Sequence, residues 1–283
     1  MVSILKSSTT KTGWYVNVRY KITLHIKDLE IIKSIQEFFA GKGNIVISKD
    51  TCIFRVDSLK DIIDIIIPHF DRYPLITQKL ADYILFKEVV YIMNSKKHLK
   101  MEGLMEVLSF KAGMNLGISK SLVESFPNVS QKARPWIINK DISNPYWVSG
   151  FVSGKGNFSL VIRANNEYKA GYRTDIVFEV SQDLRDKLLL QKFISFFNCG
   201  LLKKYSRNST YRFKVSNHTD ILEKIVPFFQ TYSIEGVKAL DLKDWIKGVE
   251  IVKSKNHLTV SGLNELQTIK GNMNTRKNIN EKS

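Results

Sequence analysis

Residues 144–162 read NPYWVSGFVSGKGNFSLVI, and this stretch decides the fold. Its first part is a run of aromatic, small and β-branched residues that predicts a buried helix, and its last part alternates as a strand does. Gly150 and Gly154 lie four residues apart, and Ser149 and Ser153 flank them. One side of the helix is therefore smooth enough for another helix to approach closely, which predicts a helix interface at these two glycines.

Composition limits the class of protein. The chain has 283 residues, 43% of them hydrophobic, which suffices for one large folded domain or two ordinary ones. Lysine and arginine outnumber aspartate and glutamate by 43 to 27, and the formal net charge of +16 indicates a polyanionic partner. Nucleic acid is the first candidate and an anionic membrane surface the second. The longest apolar stretch, DIIDIIIPHF, is too short to cross a bilayer, so we expect no membrane span.

The sequence contains one unit written twice. A shift of about 158 or 159 positions aligns the chain with itself over a long series of residues. Phe54-Arg55-Val56 falls on Phe213-Lys214-Val215, and HLKMEGL in the first copy falls on HLTVSGL in the second. Residues 144–158 have no counterpart in the first copy, which therefore starts one element late.

Each copy has the same order of strands and helices. In the first copy two alternating runs predict strands with these inward residues: Val16, Val18, Tyr20, Ile22, Leu24, Cys52, Phe54 and Val56. Helical patterns follow each pair of strands, and the last is expected from about Met101 to Gly117. We place the first repeat at residues 1–116, a linker at 117–142, the second repeat at 143–276 and a polar tail at 277–283. The fold class is mixed α/β (α+β), with two similar halves about a pseudo-twofold axis.

The outward faces of the predicted sheets are basic and polar, which suits the phosphate backbone and the major groove of duplex DNA. A merely solvated surface is the alternative. Arg173 shares its face with Asp175 and Glu179, so the first strand pair of the second copy is the weaker part of this interpretation. The candidate DNA-binding residues are Asn17, Arg19, Lys21, Lys49, Arg55, Arg173, Lys203, Lys204, Arg207, Arg212 and Lys214.

The segment WVSGFVSGKG resembles the signature helix of the single-chain LAGLIDADG homing endonucleases, and the doubled unit resembles that family's αββαββα half. PLITQKLADYILFKEVVYIM and HLKMEGLMEVLSFKAGMNLG also resemble its characteristic segments. The resemblance implies saddle-shaped antiparallel sheets that bind DNA. It further implies an intron-encoded protein, most typically from a fungal mitochondrion, that cuts both strands of a long target site. An RNA-splicing maturase derived from such an enzyme is the alternative.

The same resemblance implies a metal site that this chain does not reproduce. In the family each signature helix ends in an acid just before its last glycine, and two such acids hold Mg²⁺ at the scissile phosphates. Here that position is Lys155, the earlier acid is replaced by Ser153, and the first signature helix is absent. We therefore assign no metal ligand. Lys155 either contacts a DNA phosphate or reflects drift at an inactive site.

Two further lysines, Lys79 and Lys238, recur at equivalent places, where a basic residue lines the family's catalytic pocket. Taken together, the sequence predicts a monomeric, mitochondrial, truncated LAGLIDADG protein that binds double-stranded DNA and cuts it little or not at all. Intron RNA is the partner under the maturase alternative, and no membrane partner is expected.

Overall fold

The computed structural model describes residues 1–138, 141–168, 170–205 and 209–273. The chain forms two compact units, Met1–Asn139 and Lys140–Ser283. The boundary falls inside the segment 117–142 that the sequence assigns to a linker.

The described residues of unit 1 form five antiparallel strands. The first two pair with each other, and the other three form a sheet of order β3-β5-β4. The strands are β1 Val2–Lys6, β2 Trp14–Val18, β3 Tyr20–His25, β4 Asn44–Ser48 and β5 Thr51–Val56.

The helices of unit 1 cover one side of these strands and continue into the predicted linker. A π-helical turn, Ile62–Ile66, joins the second helix to the third, and Pro68 stands just after it. Proline has no N–H to donate to the preceding turn, which accounts for the irregular winding there. The helices are α1 Leu29–Phe38, α2 Leu59–Asp61, α3 Ile67–Arg72, α4 Lys79–Asn94, α5 Met101–Gly113 and α6 Lys120–Ser125.

Unit 2 repeats this order and adds one helix in front. In the described part of this unit, four strands form one antiparallel sheet of order β6-β7-β9-β8. The strands are β6 Gly156–Ala164, β7 Tyr172–Asp183, β8 Leu201–Lys204 and β9 Thr210–Val215. The helices are α7 Pro145–Lys155, α8 Lys187–Phe197, α9 His218–Asp220, α10 Val226–Thr231, α11 Val237–Lys253 and α12 Val260–Asn272, with a second π-helical turn at Ile221–Ile225.

The strand registers confirm the internal repeat. Tyr20 pairs with Val56 in unit 1 as Phe178 pairs with Val215 in unit 2. Strand β7 matches β2 and β3 together; in unit 1 the ladder is interrupted at Arg19. The mixed α/β architecture and the antiparallel sheets predicted from the sequence are therefore confirmed.

The inward residues of the strands form the core, as their alternation predicts. Val16 and Val18 are buried, and Cys52, Phe54 and Val56 are at most 1% exposed. In unit 2 the same positions and the helices that cover them supply a larger aromatic cluster: Phe158, Phe178, Phe193, Phe213, Phe229 and Trp245.

The end of the first repeat differs from the sequence prediction in two respects. Helix α5 ends at Gly113 rather than near Gly117, because Met114 is extended and the Asn115 N–H donates to the Asp82 carboxylate at 2.8 Å. The segment assigned to a linker contains α6 and is tied to unit 1. Its Arg134 pairs with Asp82 at 2.6 Å, so the part of the segment that precedes the unit boundary belongs structurally to the first unit.

Candidate nucleic-acid interface

The outer face of the unit 1 sheet carries two cations side by side. Lys21 on β3 lies directly opposite Arg55 on β5, and both side chains alternate with core residues. Lys21 is exposed. Like charges in directly opposed strand positions are destabilising on their own. An anionic partner over this face would offset that cost.

One carboxylate serves two guanidinium groups at the edge of this face. Asp57 contacts the Nε of Arg19, and its other oxygen lies 3.0 Å from the Nε of Arg55. The cluster keeps a net positive charge because two cations share one anion. Asn17 lies opposite Ser3 on the β1–β2 ladder, and the exposed Lys49 stands in the β4–β5 turn with φ of 48°.

Unit 2 places acids among its basic residues. Arg173 pairs with Asp175, whose Oδ1 lies 3.0 Å from both Nε and Nη2. Lys203 is exposed and lies opposite Arg212. Lys204 is exposed at the end of β8, but its register places it on the other side of the sheet from Lys203. Arg207, the remaining candidate of this unit, lies outside the described residues.

A second ionic cluster centres on Glu179. Its carboxylate lies 3.3 Å from Nη1 of Arg212 and 3.9 Å from Nζ of Lys214. The guanidinium of Arg212 also lies over the ring of Tyr205, 4.1 Å from its centroid. The sequence shows Glu179 on this face, but it does not indicate Tyr205. The contact of Tyr205 with Arg212 becomes visible only once β8 and β9 pair.

Helix α7 is fixed at both ends. At its start the Asn144 side chain accepts a hydrogen bond from the N–H of Tyr146 at 2.9 Å, a helix cap of the usual kind. Near its end Ser153 Oγ donates to the Ser149 carbonyl at 2.8 Å and accepts from the backbone N–H of Glu235 at 3.1 Å. Ser153 therefore anchors the helix to the loop before α11, whereas the exposed Lys155 is its last residue.

The two glycines of α7 lie on an uncovered side. Gly150 and Gly154 are exposed, and a Cβ built on either would meet no atom within 4 Å in the described part of the chain. The buried residues of the helix, Val148, Ser149 and Val152, lie on its other side. The glycine side is thus available for contact, as the sequence predicts for a helix interface, although the structure shows no partner on it among the described residues.

The two recurrent lysines have different surroundings. Lys238, at the start of α11, donates from Nζ to the carbonyl of Gly156, the residue that follows α7. Lys79, at the start of α4, is exposed and lines a cavity of about 380 Å³ in unit 1. The unit 2 lysine therefore holds the end of α7, and the unit 1 lysine faces open space.

The unit 1 cavity has a filled counterpart in unit 2. Its walls include Tyr20, Phe70 and Phe86. The repeat aligns these residues with Phe178, Phe229 and Trp245, which all surround the ring of Phe158 at centroid distances of 5.2, 5.5 and 5.2 Å. The same arrangement of helices and strands thus encloses an aromatic ring in unit 2 and a cavity in unit 1.

The end of α7 does not fit a divalent metal. Lys155 offers an ammonium, which cannot be a ligand, and Ser153 is occupied by its two hydrogen bonds. The Gly156 carbonyl accepts from Lys238. Across the described ranges, no group of three or more His, Cys, Asp or Glu side chains has an arrangement suited to a metal ion. Among the described helices, none combines the length and apolarity needed to span a membrane.

Comparison with known proteins identifies relatives over almost the whole chain. A family model described as LAGLIDADG endonuclease matches residues 1–90 and 148–249. Two proteins of Neurospora crassa, named probable intron-encoded endonuclease 3 and probable intron-encoded endonuclease 2, are each 37% identical and align with 94% and 96% of this chain. The chain spans 50% and 62% of the length of these two relatives.

Solved structures show the same fold. The I-SmaMI LAGLIDADG homing endonuclease bound to cleaved DNA matches with a TM-score of 0.95 and 42% identity, over 97% of this chain and 92% of that chain. Its complex with uncleaved DNA in the presence of calcium ions matches with a TM-score of 0.95 over 94% of that chain. Variants of the same endonuclease with lysine replaced by alanine have also been solved. The chain described here is therefore a member of the LAGLIDADG endonuclease family.

Proposed function

We propose that this chain binds a specific site in double-stranded DNA, as an intron-encoded homing endonuclease does, through the outer sheet faces of its two units. The observation that carries the proposal is the pair of outward cations Lys21 and Arg55, opposed on adjacent strands; together with Arg19 they set three cations against the single carboxylate of Asp57. Such a pair is costly in the free protein and favourable against phosphate. The 42% identical I-SmaMI structures, which are described with DNA, support the same partner.

Two lysines at the end of α7 bear on what happens at the bound phosphate. Lys155 presents an exposed positive charge, which attracts a phosphate oxygen without activating water. Lys238 holds the Gly156 carbonyl and thereby fixes where α7 ends. Because these residues do not fit a divalent metal, we propose that the 283-residue chain holds DNA here and hydrolyses it slowly or not at all.

The lysine variants of the I-SmaMI relative support a pocket role for Lys79 and Lys238. Two lysines of that protein are replaced by alanine, separately and together. Their separation along that chain equals the separation of Lys79 and Lys238 along this one. We propose that both lysines lie near the bound DNA backbone, with Lys238 orienting the end of α7.

The remaining proposals concern the setting. Two repeats in one chain supply both sheet faces, so we propose a monomer. A relative of 21% identity named as a mitochondrial protein, together with the fungal intron-encoded relatives, supports an organellar and specifically mitochondrial origin. A maturase that binds intron RNA has no observation of its own in its favour, because the I-SmaMI structures are described with DNA.

Selection from a random duplex library, followed by a cutting assay, tests the proposal. We expect the purified chain to enrich one sequence and to bind it more tightly than a scrambled duplex. Incubation of that duplex with the chain and Mg²⁺ or Mn²⁺ should leave both strands intact over times in which an active family member cuts its target. Failure to enrich any sequence would contradict the binding proposal, and rapid cutting would contradict the account of the α7 end.

A further inference from the structure

We propose that Arg212 reads a guanine in the major groove, and that Glu179 and Tyr205 are positioning residues that hold its guanidinium for this purpose. The inference rests on the proposed DNA-binding function and adds a base-specific role for one side chain.

Arg212 stands in the middle of the unit 2 sheet. On strand β9 it lies opposite Ser181 of β7 on one side and Lys203 of β8 on the other. Its neighbours along the strand, Tyr211 and Phe213, point to the opposite face because side chains alternate. The Arg212 side chain is 32% exposed, so part of it faces outward while the rest is packed.

Two contacts fix the orientation of this guanidinium. The ring of Tyr205, 4.1 Å away, sets the plane of the group, and Oε2 of Glu179, 3.3 Å from Nη1, sets its rotation within that plane. Glu179 is itself held, since its side chain is only 14% exposed and its other oxygen lies near Lys214. An arginine ordered before binding loses less side-chain entropy on meeting its target.

The edge left for binding suits one base. Nε of Arg212 is buried and has no hydrogen-bond partner among the described atoms, so it does not face the solvent. The remaining donors lie at the Nη1–Nη2 end of the fork. Guanine alone presents two neighbouring acceptors, N7 and O6, in the major groove, and this pair matches the two arginine nitrogens.

The repeat restricts this arrangement to unit 2. Ile53, which lies opposite Thr23, is the unit 1 counterpart of Arg212, which lies opposite Ser181. Lys21 likewise stands where unit 2 has Glu179. The equivalent place in unit 1 therefore has neither the arginine nor its acidic support, and we expect the guanine preference in only one half of the target.

A competition experiment with the full chain tests the assignment. The duplex enriched by the wild-type protein is varied to each other base pair at every position, and relative affinities are measured without a divalent metal. We expect one G·C position to be preferred by about 5- to 150-fold, and Arg212→Lys, which keeps the charge and loses the fork, to abolish that preference. Tyr205→Leu and Glu179→Gln should weaken the preference, and Tyr205→Phe should retain it.

Lys203→Ala is the matched control. Lys203 is exposed, lies opposite Arg212 and has no ion pair in the described part of the chain. Its loss should lower affinity about equally for all duplexes and reduce the salt slope by about 1, with the base preference unchanged. If Arg212→Lys is folded by its melting temperature and retains every base preference, the assignment is wrong. If the wild-type protein does not distinguish its enriched duplex from a scrambled one, the proposed function itself fails.

Discussion

Unit 1 and unit 2 repeat one fold but distribute charge differently on their sheets. The cross-strand pair Lys21 and Arg55 in unit 1 corresponds to Glu179 and Lys214 in unit 2. Lys21 opposes another cation, whereas Glu179 neutralises its neighbours. The buried positions between them match, since Tyr20–Val56 and Phe178–Val215 hold the same register. Buried residues thus maintain the fold, and the outer face is free to change its charge and therefore its contribution to DNA binding.

One aromatic ring is central to the interior of unit 2. Phe158 is 2% exposed, and its ring packs against Phe178, Phe229 and Trp245. A filled aromatic pocket gains dispersion contacts and removes apolar surface from water, and a cavity forfeits both. Unit 2 should therefore depend strongly on this single aromatic side chain.

Phe158→Ala should have the largest effect, because it would leave a cavity among the packed rings of Phe178, Phe229 and Trp245. We expect a loss of about 3–5 kcal/mol in the free energy of unfolding of unit 2. Hydrogen exchange in urea, followed on α11 and on α4, would localise the loss to unit 2. The exposed Leu201→Ala should change stability by less than about 0.5 kcal/mol. A Phe158→Ala loss below about 1 kcal/mol would show that this pocket does not support the unit.

Lys21→Glu should remove much of the charge difference between the sheets. The new carboxylate would lie opposite Arg55, which Asp57 already contacts, and the exchange of a cation for an anion would lower the net charge of this face by 2. The slope of log affinity against log salt should become shallower by about 2. Fluorescence anisotropy measures the affinity for DNA at salt concentrations from about 50 to about 200 mM. Protein–phosphate contacts weaken strongly over this range, so the slope can be determined.

Lys60→Glu controls for a general charge effect. Lys60 is 83% exposed on helix α2, away from the sheet face, and pairs with Asp64. Reversing its charge should leave the salt slope unchanged. Equal changes for the Lys21 and Lys60 variants would mean that net charge alone, and not the sheet face, sets the affinity.

The helix caps should act alike in the two units. Ser58 accepts a hydrogen bond from the Asp61 N–H at 3.2 Å, and Asn217 accepts one from the Asp220 N–H at 3.1 Å. Ser58→Ala and Asn217→Ala should each cost about 1 kcal/mol of unfolding free energy. The shift of the urea midpoint, at an unchanged dependence of the unfolding free energy on urea concentration, measures this loss of stability. If only one of the two substitutions lowered the free energy of unfolding, the caps would be equivalent in geometry but not in their contribution to stability.

The histidines should produce the smallest effect. Burial lowers the pKa of His98 in unit 1 and of His257 in unit 2 below the ordinary value of 6.5. The folded state therefore resists protonation, so its stability is complete above pH 6.5 and declines as the pH falls below it. Urea midpoints at pH 7.5 and 5.5 should differ less for His98→Gln combined with His257→Gln than for the wild-type chain. If the difference between the two urea midpoints were the same in the double variant and the wild-type chain, the two histidines would not cause the loss of stability at low pH.

The parts of the fold visible in the sequence are those that depend on neighbours along the chain. Strand alternation identifies the buried Val16, Phe54 and Val56 correctly. The repeat adds long-range information, since it predicts that the two units share one order of elements.

Other features depend on contacts between distant residues and are not visible in a sequence. The ion pair of Arg134 with Asp82 ties the assigned linker to unit 1, and no local pattern indicates it. The stacking of Arg212 on Tyr205 requires the β8–β9 pairing to exist first. The pairing of Lys204 with Tyr211 likewise exists only once β8 and β9 are in register.

Photo-crosslinking to bound DNA tests the central claim, that both sheet faces contact the duplex, most directly. A photoreactive residue is placed at Thr23 on β3, at its counterpart Ser181 on β7, or at Lys60 on helix α2. The account predicts efficient crosslinks from Thr23 and Ser181, in different halves of the enriched duplex, and none from Lys60. Crosslinks from Lys60 with none from the two sheet positions would contradict it.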